Sequence, residues 1–358
     1  MVGELLLSGS CYCRGADARQ WCVHRAHGQL QRTACGKLGP DTSGEGVRLP
    51  DGDALSETQL EVIPPEVIPP EVIPPEVIPT GAAAGAEIRG VDLSRVLDAD
   101  RFAVIERAFN EHGVIYLRDQ RLQPADQLRF SRYFGELEVN FNSDLYGVEE
   151  APELFAIGNA ENNGHEHNGQ AIALKGVGQT WHSDMCYAAR PPRATVLYAL
   201  EVPKLHGLTL GDTCFANAAA AWDALPASMQ ARVDGLMAVF DFRGRKRTRP
   251  VSPQTVAAYP PVAHPMVRHH PYTGRKSLYV MQDDCTGIAG VDADEAGALI
   301  AALAAHIIRP EFIYRHQWRP GDLLMWDNCT VQHRAVADYA LPQRRLLHRS
   351  TIAGLPPA

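Results

Sequence analysis

The residues Trp181-His182-Ser183-Asp184 stand near the middle of the chain, and His333 lies far downstream. In an extended strand, side chains two apart point to the same face, so His182 and Asp184 would present an imidazole and a carboxylate together. One more imidazole, brought in by the fold, makes a two-histidine, one-carboxylate set. Such a set grips one face of a divalent cation and leaves other positions open, the arrangement expected of non-haem Fe(II) oxygenases. The bare triplet is a weak signal, because His-x-Asp arises by chance and a surface strand with two polar residues reads the same.

Donors so far apart in sequence need a scaffold, and one is patterned from Gly85 onward. Asp98 is placed to cap a helix whose Phe102, Ile105 and Phe109 fall at helical spacing. Val114-Ile115-Tyr116-Leu117 reads as a buried strand, Pro124 as the first turn of a second helix, and Gly135 as its stop. The triplet is expected on a strand near residues 180 to 187, with another strand from Ala194 to Leu200. Asn217 to Leu236 has a helical pattern that Pro226 must break, and Asp292 with Glu295 reads as a capping box for an alanine-rich helix ending near His306. Pro320-Gly321-Asp322 turns the chain into Leu323-Leu324-Met325-Trp326, a buried strand leading to His333. Many strands with helices gathered outside suggest an α+β fold.

Further motifs follow in order: Gly211-Asp212-Thr213, Trp326-Asp327-Asn328, Gln332-His333-Arg334, Asp338-Tyr339, and the run from Pro342 through Arg344, Arg345 and His348 to Arg349. With the triplet, these closely resemble the taurine/2,4-dichlorophenoxyacetate dioxygenase family of Fe(II)- and 2-oxoglutarate-dependent enzymes, from about Glu76 to the C-terminus. The resemblance implies a double-stranded β-helix, a jelly-roll-like barrel with flanking helices. It implies that His182, Asp184 and His333 ligate Fe(II), with 2-oxoglutarate and dioxygen taking the open positions. Decarboxylation to succinate and carbon dioxide would accompany hydroxylation of a C–H bond. Related halogenases replace the metal carboxylate with a small residue, so the presence of Asp184 favours hydroxylation. No catalytic side chain beyond the metal ligands is implied.

The same resemblance places the far carboxylate of 2-oxoglutarate on Arg345, with the Thr213 hydroxyl as a second donor. Arginine suits that task because its planar fork binds a carboxylate bidentately and stays charged. The interval from His333 to Arg345 is one residue longer than is usual in the taurine branch, through Ala340, which makes Arg344 the rival. Arg349 matches the arginine that grips the substrate's anionic group. Asn140 and Ser143 replace a histidine and a tyrosine of the taurine branch, Gly178 replaces an asparagine, and Met185 is expected to line the substrate pocket. These departures point to a small organic anion other than taurine: a sulfonate, a phenoxyacid, a sulfate ester or similar. Competing readings are a hydroxylase that leaves a stable product on an amino acid or other carboxylate, and a catalytically silent barrel that binds a metal or an acid.

Composition narrows the partners. A net charge of −8 over 358 residues gives no reason to expect nucleic-acid binding. No apolar run approaches the 18 or so residues of a membrane span, and Met1 to Ser8, with Glu4 and a short Leu5-Leu6-Leu7, lacks the form of a secretory signal. The scattered cysteines, among them Cys186, Cys214, Cys285 and Cys329, read as reduced thiols of a cytoplasmic protein. A homo-oligomer stays open.

Residues 1–60 read as a disordered extension. Cys11, Cys13, Cys22, His24, His27 and Cys35 invite a zinc-knuckle reading, but paired Cys-x-x-Cys units are missing. Residues 61–79 are a linker of Glu-Val-Ile-Pro repeats beginning at Glu61, Glu66, Glu71 and Glu76. Only the last copy is expected to join the fold as its first strand. Residues 80–358 form the expected catalytic domain. The basic run from Arg243 to Arg249 reads either as a lid drawing in an anion or as a solvated loop. His264, His269 and His270, in a proline-rich stretch, are expected in loop or structural roles rather than at a second metal.

Overall fold

The structure, a computed structural model, describes residues 21–26, 29–34, 74–140, 143–148, 150–159, 166–167, 170–171, 178–244 and 252–358. The chain divides into Met1–Ile68 and Pro69–Ala358. In the first unit Trp21–Ala26 and Gln29–Ala34 pair as an antiparallel hairpin. The other residues of the extension, including Cys11, Cys13, His27 and Cys35, lie outside the described residues, as do the repeat copies before Pro74.

The second unit opens with the last repeat copy. Glu76–Pro79 (β1) pairs antiparallel with Ala86–Arg89 (β2). Helix α1, Ala99–His112, starts where the Asp98 side chain accepts from Arg101 N, and it buries Ile105, Ala108 and Phe109. Gly113 ends it in the left-handed region, φ 66°, and returns its N–H to Phe109 O. The turn leads straight into β3, Val114–Leu117, buried at all four positions. Helix α2, Pro124–Arg132, begins on its proline and ends before Gly135 is reached.

Eleven further strands supply the rest of the frame: Gly147–Val148 (β4), Ala151–Gly158 (β5), Ala194–Glu201 (β6), Thr213–Asn217 (β7), Met237–Phe240 (β8), Val262–Pro265 (β9), Cys285–Ile288 (β10), Ile313–His316 (β11), Leu323–Asp327 (β12), Val331–Ala335 (β13) and Leu346–Ile352 (β14). An eight-stranded sheet runs β1-β2-β3-β12-β6-β14-β5-β4, with β2 and β3 parallel and the other pairs antiparallel. A three-stranded sheet runs β11-β7-β13. Phe215, Tyr314 and Val331 of the small sheet share one core cluster with Val114, Leu197, Leu324, Trp326 and Leu347 of the large one. The two sheets therefore bury their inner faces against each other.

A third sheet, β9-β8-β10, packs with the alanine-rich helix Ala293–Ile307 over Phe240, Met266, Leu299 and Leu303. Pro226 does break the preceding helical stretch, into Ala218–Asp223 and Ala227–Val233. Asp292 caps the long helix by accepting from Asp294 N and Glu295 N. The reciprocal half of a capping box does not form, because the Glu295 carboxylate turns to Arg232 at 2.8 Å. The fold is thus mixed, one large sheet with few helices. No helix of the described residues is long and apolar enough to cross a membrane.

Candidate active site

His182, Asp184 and His333 come together in a buried cluster, their ligand atoms all within 4.8 Å of one another. His182 Nε2 and His333 Nε2 each lie 3.9 Å from Asp184 Oδ1, and the two rings are 4.2 Å apart. The approach differs from the strand expected around residues 180 to 187. Only His182 bridges a neighbour, exchanging backbone hydrogen bonds of 3.1 and 2.8 Å with His333 on β13. Asp184 already belongs to the following turn, where Met185 adopts φ 43°. One bridging pair thus sets the two imidazoles side by side, and the turn swings the carboxylate onto them.

Each donor is braced. The Nδ1–H of His182 donates to Thr180 O at 2.8 Å, which makes Nε2, on the Asp184 side, the nitrogen that carries the lone pair. Asp184 Oδ2 accepts from Thr195 Oγ1 at 2.6 Å, and Asp184 N donates to Asn328 Oδ1 at 3.3 Å. Asn328 also donates to Thr195 and accepts the Trp326 indole N–H, while its carbonyl holds Ser183 Oγ. Asp327 in turn takes hydrogen bonds from His270 Nε2, Thr330 Oγ1 and Cys329 N. His270 Nδ1 accepts from Tyr272 N and Thr273 N, so both ring nitrogens are occupied with structure. The second grouping of metal-type residues, His270, Asp327 and Cys329, is therefore a brace for the loop that carries Asn328. His264 likewise spends Nε2 on Ala188 O. Two imidazoles and a hard carboxylate, with the His182 tautomer set, fit a divalent iron.

Burial opposes ionisation of Asp184, but Arg349, His333, His182 and the Thr195 hydroxyl outweigh it and hold the carboxyl below its ordinary range. Asp184 is thus a carboxylate at any physiological pH. Arg349 lies on β14, with its guanidinium 3.0 Å from Asp184 Oδ1, 3.4 Å from Thr195 Oγ1 and over the Phe155 ring.

Arg345 sits one residue before β14. Asn159 clamps its backbone, accepting from Arg345 N at 2.8 Å and donating its own N–H to Arg345 O at 3.1 Å. The Arg345 guanidinium donates to Gly211 O at 3.4 Å and lies over the Tyr339 ring. Gly211, at φ 74°, must be glycine: a Cβ there would stand 3.1 Å from Arg345 Nε and from the Tyr339 ring. Asp338 Oδ1 fixes the same glycine by accepting its N–H at 2.7 Å. Thr213, on β7, is buried two residues further on. Arg344 points the other way, half-exposed, and pairs with Glu201 at 2.8 Å.

Of the remaining expected pocket residues, Met185 is half-buried against the cluster of Phe240 and Tyr279. Asn140 is half-buried in the segment before Ser143, whose N–H its carbonyl accepts. Gly178 packs against the His182 ring, where a Cβ would meet Cε1 at 3.1 Å. Arg243 of the basic run pairs with Asp241, and residues 245–249 lie outside the described residues. Sequence reasoning missed Thr195, Asn159 and Glu138. Thr195 was visible only as a lone hydroxyl in an apolar strand. Glu138 is half-buried, and burial pushes its carboxyl up while Arg349 pulls it down.

The taurine catabolism dioxygenase TauD, TfdA family matches residues 76–351. The chain belongs to this family. It is 35% identical over 280 residues to an alpha-ketoglutarate-dependent 2,4-dichlorophenoxyacetate dioxygenase of Cupriavidus pinatubonensis, covering 75% of this chain and 93% of that protein. It is 32% identical over 284 residues to an alpha-ketoglutarate-dependent sulfate ester dioxygenase of Pseudomonas putida, covering 75% of this chain and 86% of that protein. Among solved structures, a taurine dioxygenase from Burkholderia xenovorans superposes with a TM-score of 0.65 at 34% identity, over 79% of this chain and 92% of that one. This TauD/TfdA family chain therefore matches its relatives over nearly their full length.

Proposed function

We propose that the chain is an Fe(II)- and 2-oxoglutarate-dependent dioxygenase that hydroxylates a small organic anion, with succinate and carbon dioxide as co-products. The observation that carries this is the buried convergence of His182, Asp184 and His333, with Thr195, Thr180 and Asn328 fixing their orientation. Fe(II) bound there supplies the activation of dioxygen that hydroxylation of a C–H bond requires. The protein's own part is to bind, orient and exclude water. Buried Arg345, assisted by Thr213, takes the far carboxylate of 2-oxoglutarate, a reading supported by the closed frame of Asn159, Gly211 and Tyr339 around it. Arg349 takes the anionic group of the primary substrate, beside Asp184, with Met185 and Asn140 shaping the rest of the pocket. The relatives act on phenoxyacids and sulfate esters by their names, which supports an oxyanion of that class here.

The packed pair of sheets supports a double-stranded β-helix, and the unit Pro69–Ala358 supports a single catalytic domain over residues 80–358 with Glu76–Pro79 joined to it as the first strand. Four free buried cysteines suit a reducing compartment, the cytoplasm. The test is succinate release from 2-oxoglutarate, screened anaerobically loaded and then oxygenated over phenoxyacids, sulfonates, sulfate esters and amino acids. Oxyanions should stimulate release, and His182→Ala, Asp184→Ala and His333→Ala should each abolish it while the fold persists. Near-normal release from two of these variants would sink the metal assignment.

A further inference from the structure

We propose that Trp318 is a positioning residue for the co-substrate, its indole N–H aiming the Thr213 hydroxyl proton at the far carboxylate of 2-oxoglutarate. This rests on the reading of Thr213 and Arg345 given above. A threonine hydroxyl has one proton and two lone pairs, whereas an indole nitrogen only donates. Trp318 Nε1 donates to Thr213 Oγ1 at 3.0 Å, and both residues are buried. One lone pair is thereby filled, and the hydroxyl proton must point elsewhere. Among the described residues it meets no acceptor. The Arg345 guanidinium, hydrogen-bonded to Gly211 O two residues before Thr213, is the neighbouring donor. Two donors on adjoining groups with one acceptor lacking is what an incoming carboxylate completes.

Trp318 is held too firmly to be a passive filler. It is 1% exposed, with the His316 ring set edge-on at 4.8 Å and 82°. His316 is directly opposite Thr213 in the β7–β11 register. Burial lowers the pKa of His316, so the ring is neutral; Nε2–H donates to Asp322 at 3.2 Å and Nδ1 accepts from Tyr314 Oη at 2.8 Å. Asp322 is fixed in turn by Arg319 N and by Arg118. The Arg118–Asp322 ion pair therefore sets the ring that sets the indole that sets the hydroxyl.

The experiment is a double-mutant cycle read by direct binding, without turnover. The full chain, loaded with Fe(II) under anaerobic conditions and without primary substrate, is titrated calorimetrically with 2-oxoglutarate. Trp318→Phe keeps an aromatic ring and removes the N–H. It should weaken 2-oxoglutarate roughly five- to tenfold, the worth of one oriented hydrogen bond. In a Thr213→Val background the same substitution should change affinity less than about twofold, since the group it acts through is gone. If Trp318→Phe weakens binding equally in both backgrounds, Trp318 is only a packing residue and the inference fails. The same holds if Thr213→Val weakens binding and Trp318→Phe does not. If Thr213→Val itself has no effect, the assignment of Thr213 falls first, and the inference with it. Should Trp318→Phe not fold, benzothienylalanine at this position keeps the indole shape without the N–H and reads the same cycle.

Discussion

Two adjacent arginines, Arg344 and Arg345, compete for one role, and their surroundings separate them by magnitude. Arg345 is 5% exposed, with its backbone clamped by Asn159 and its guanidinium against Gly211 O and the Tyr339 ring. Removing one partner of a buried charge pair costs roughly 3–5 kcal/mol, because the other charge is left uncompensated. At about 1.4 kcal/mol per tenfold, Arg345→Ala should raise the 2-oxoglutarate requirement by roughly a hundredfold to a few thousandfold. Arg344 is 48% exposed on its side chain, and its pair with Glu201 is solvated. Such pairs are worth roughly 0–1 kcal/mol, so Arg344→Ala should move the 2-oxoglutarate curve less than about fivefold. The Asn159 clamp involves only the Arg345 backbone, so the alanine variant should retain its fold. The assay is succinate release against 2-oxoglutarate concentration at a fixed, saturating organic acid, with thermal melts of each variant alongside. Arg345→Lys should recover only part of the affinity, since an ammonium lacks the planar fork. A large shift in Arg344→Ala with a near-normal curve in Arg345→Ala would refute the register, and with it the placement of the co-substrate.

Other perturbations test other parts of the frame. Gly178→Ala forces a side chain into φ 73° with its Cβ 3.1 Å from His182 Cε1, so Fe(II) affinity measured by anaerobic titration should fall while the melting temperature moves little; unchanged affinity would show that the ring has room to yield. Arg349→Ala should weaken the organic acid and uncouple decarboxylation from hydroxylation; if only the 2-oxoglutarate curve responds, Arg349 does not hold the primary substrate. His348 is buried, and burial lowers its pKa to about 4. The unfolded chain, with histidine near its ordinary value of about 6.5, therefore takes up this proton first as pH falls, and stability is lost from about pH 6.5 down to about pH 4. Between about pH 7.5 and about pH 5 the His348 contribution amounts to about 2 kcal/mol, which His348→Phe should remove from the pH dependence of urea unfolding. An unaltered slope in that variant would assign the loss to other buried histidines such as His264 and His316.

What could be read from the chain alone was whatever a residue does within its own neighbourhood. Asp98 caps and Pro226 breaks because caps and missing donors act over a few residues. The convergence of His182, Asp184 and His333 was legible for a related reason: few side chains can ligate, and the triplet with its late histidine is a small set. Their geometry was not. An alternating strand was the economical guess for His182 and Asp184, yet the chain turns at Asp184 because Asn328 captures Asp184 N and its carbonyl captures Ser183 Oγ. Those partners lie well over a hundred positions away, and no local pattern announces them. Glu295 departed from its expected box for the same reason, drawn off by Arg232 from another helix.

The two arginines near the C-terminus show where that boundary falls. Four positions apart, they would share a face of a single strand, and both are largely buried. Yet only Arg349 belongs to the strand, while Arg345 is held just outside it by Asn159, from the neighbouring strand's end. A period of two predicts direction but not depth. Depth comes from neighbours distant in sequence: Asn159 and Gly211 for Arg345, Phe155 and Asp184 for Arg349. So one arginine meets a backbone cradle at Gly211, and the other meets the Asp184 carboxylate. On the proposed function, an anion entering beside Arg349 would share that guanidinium with Asp184, which would tie the seat of the primary substrate to the electrostatics of the proposed metal ligand set.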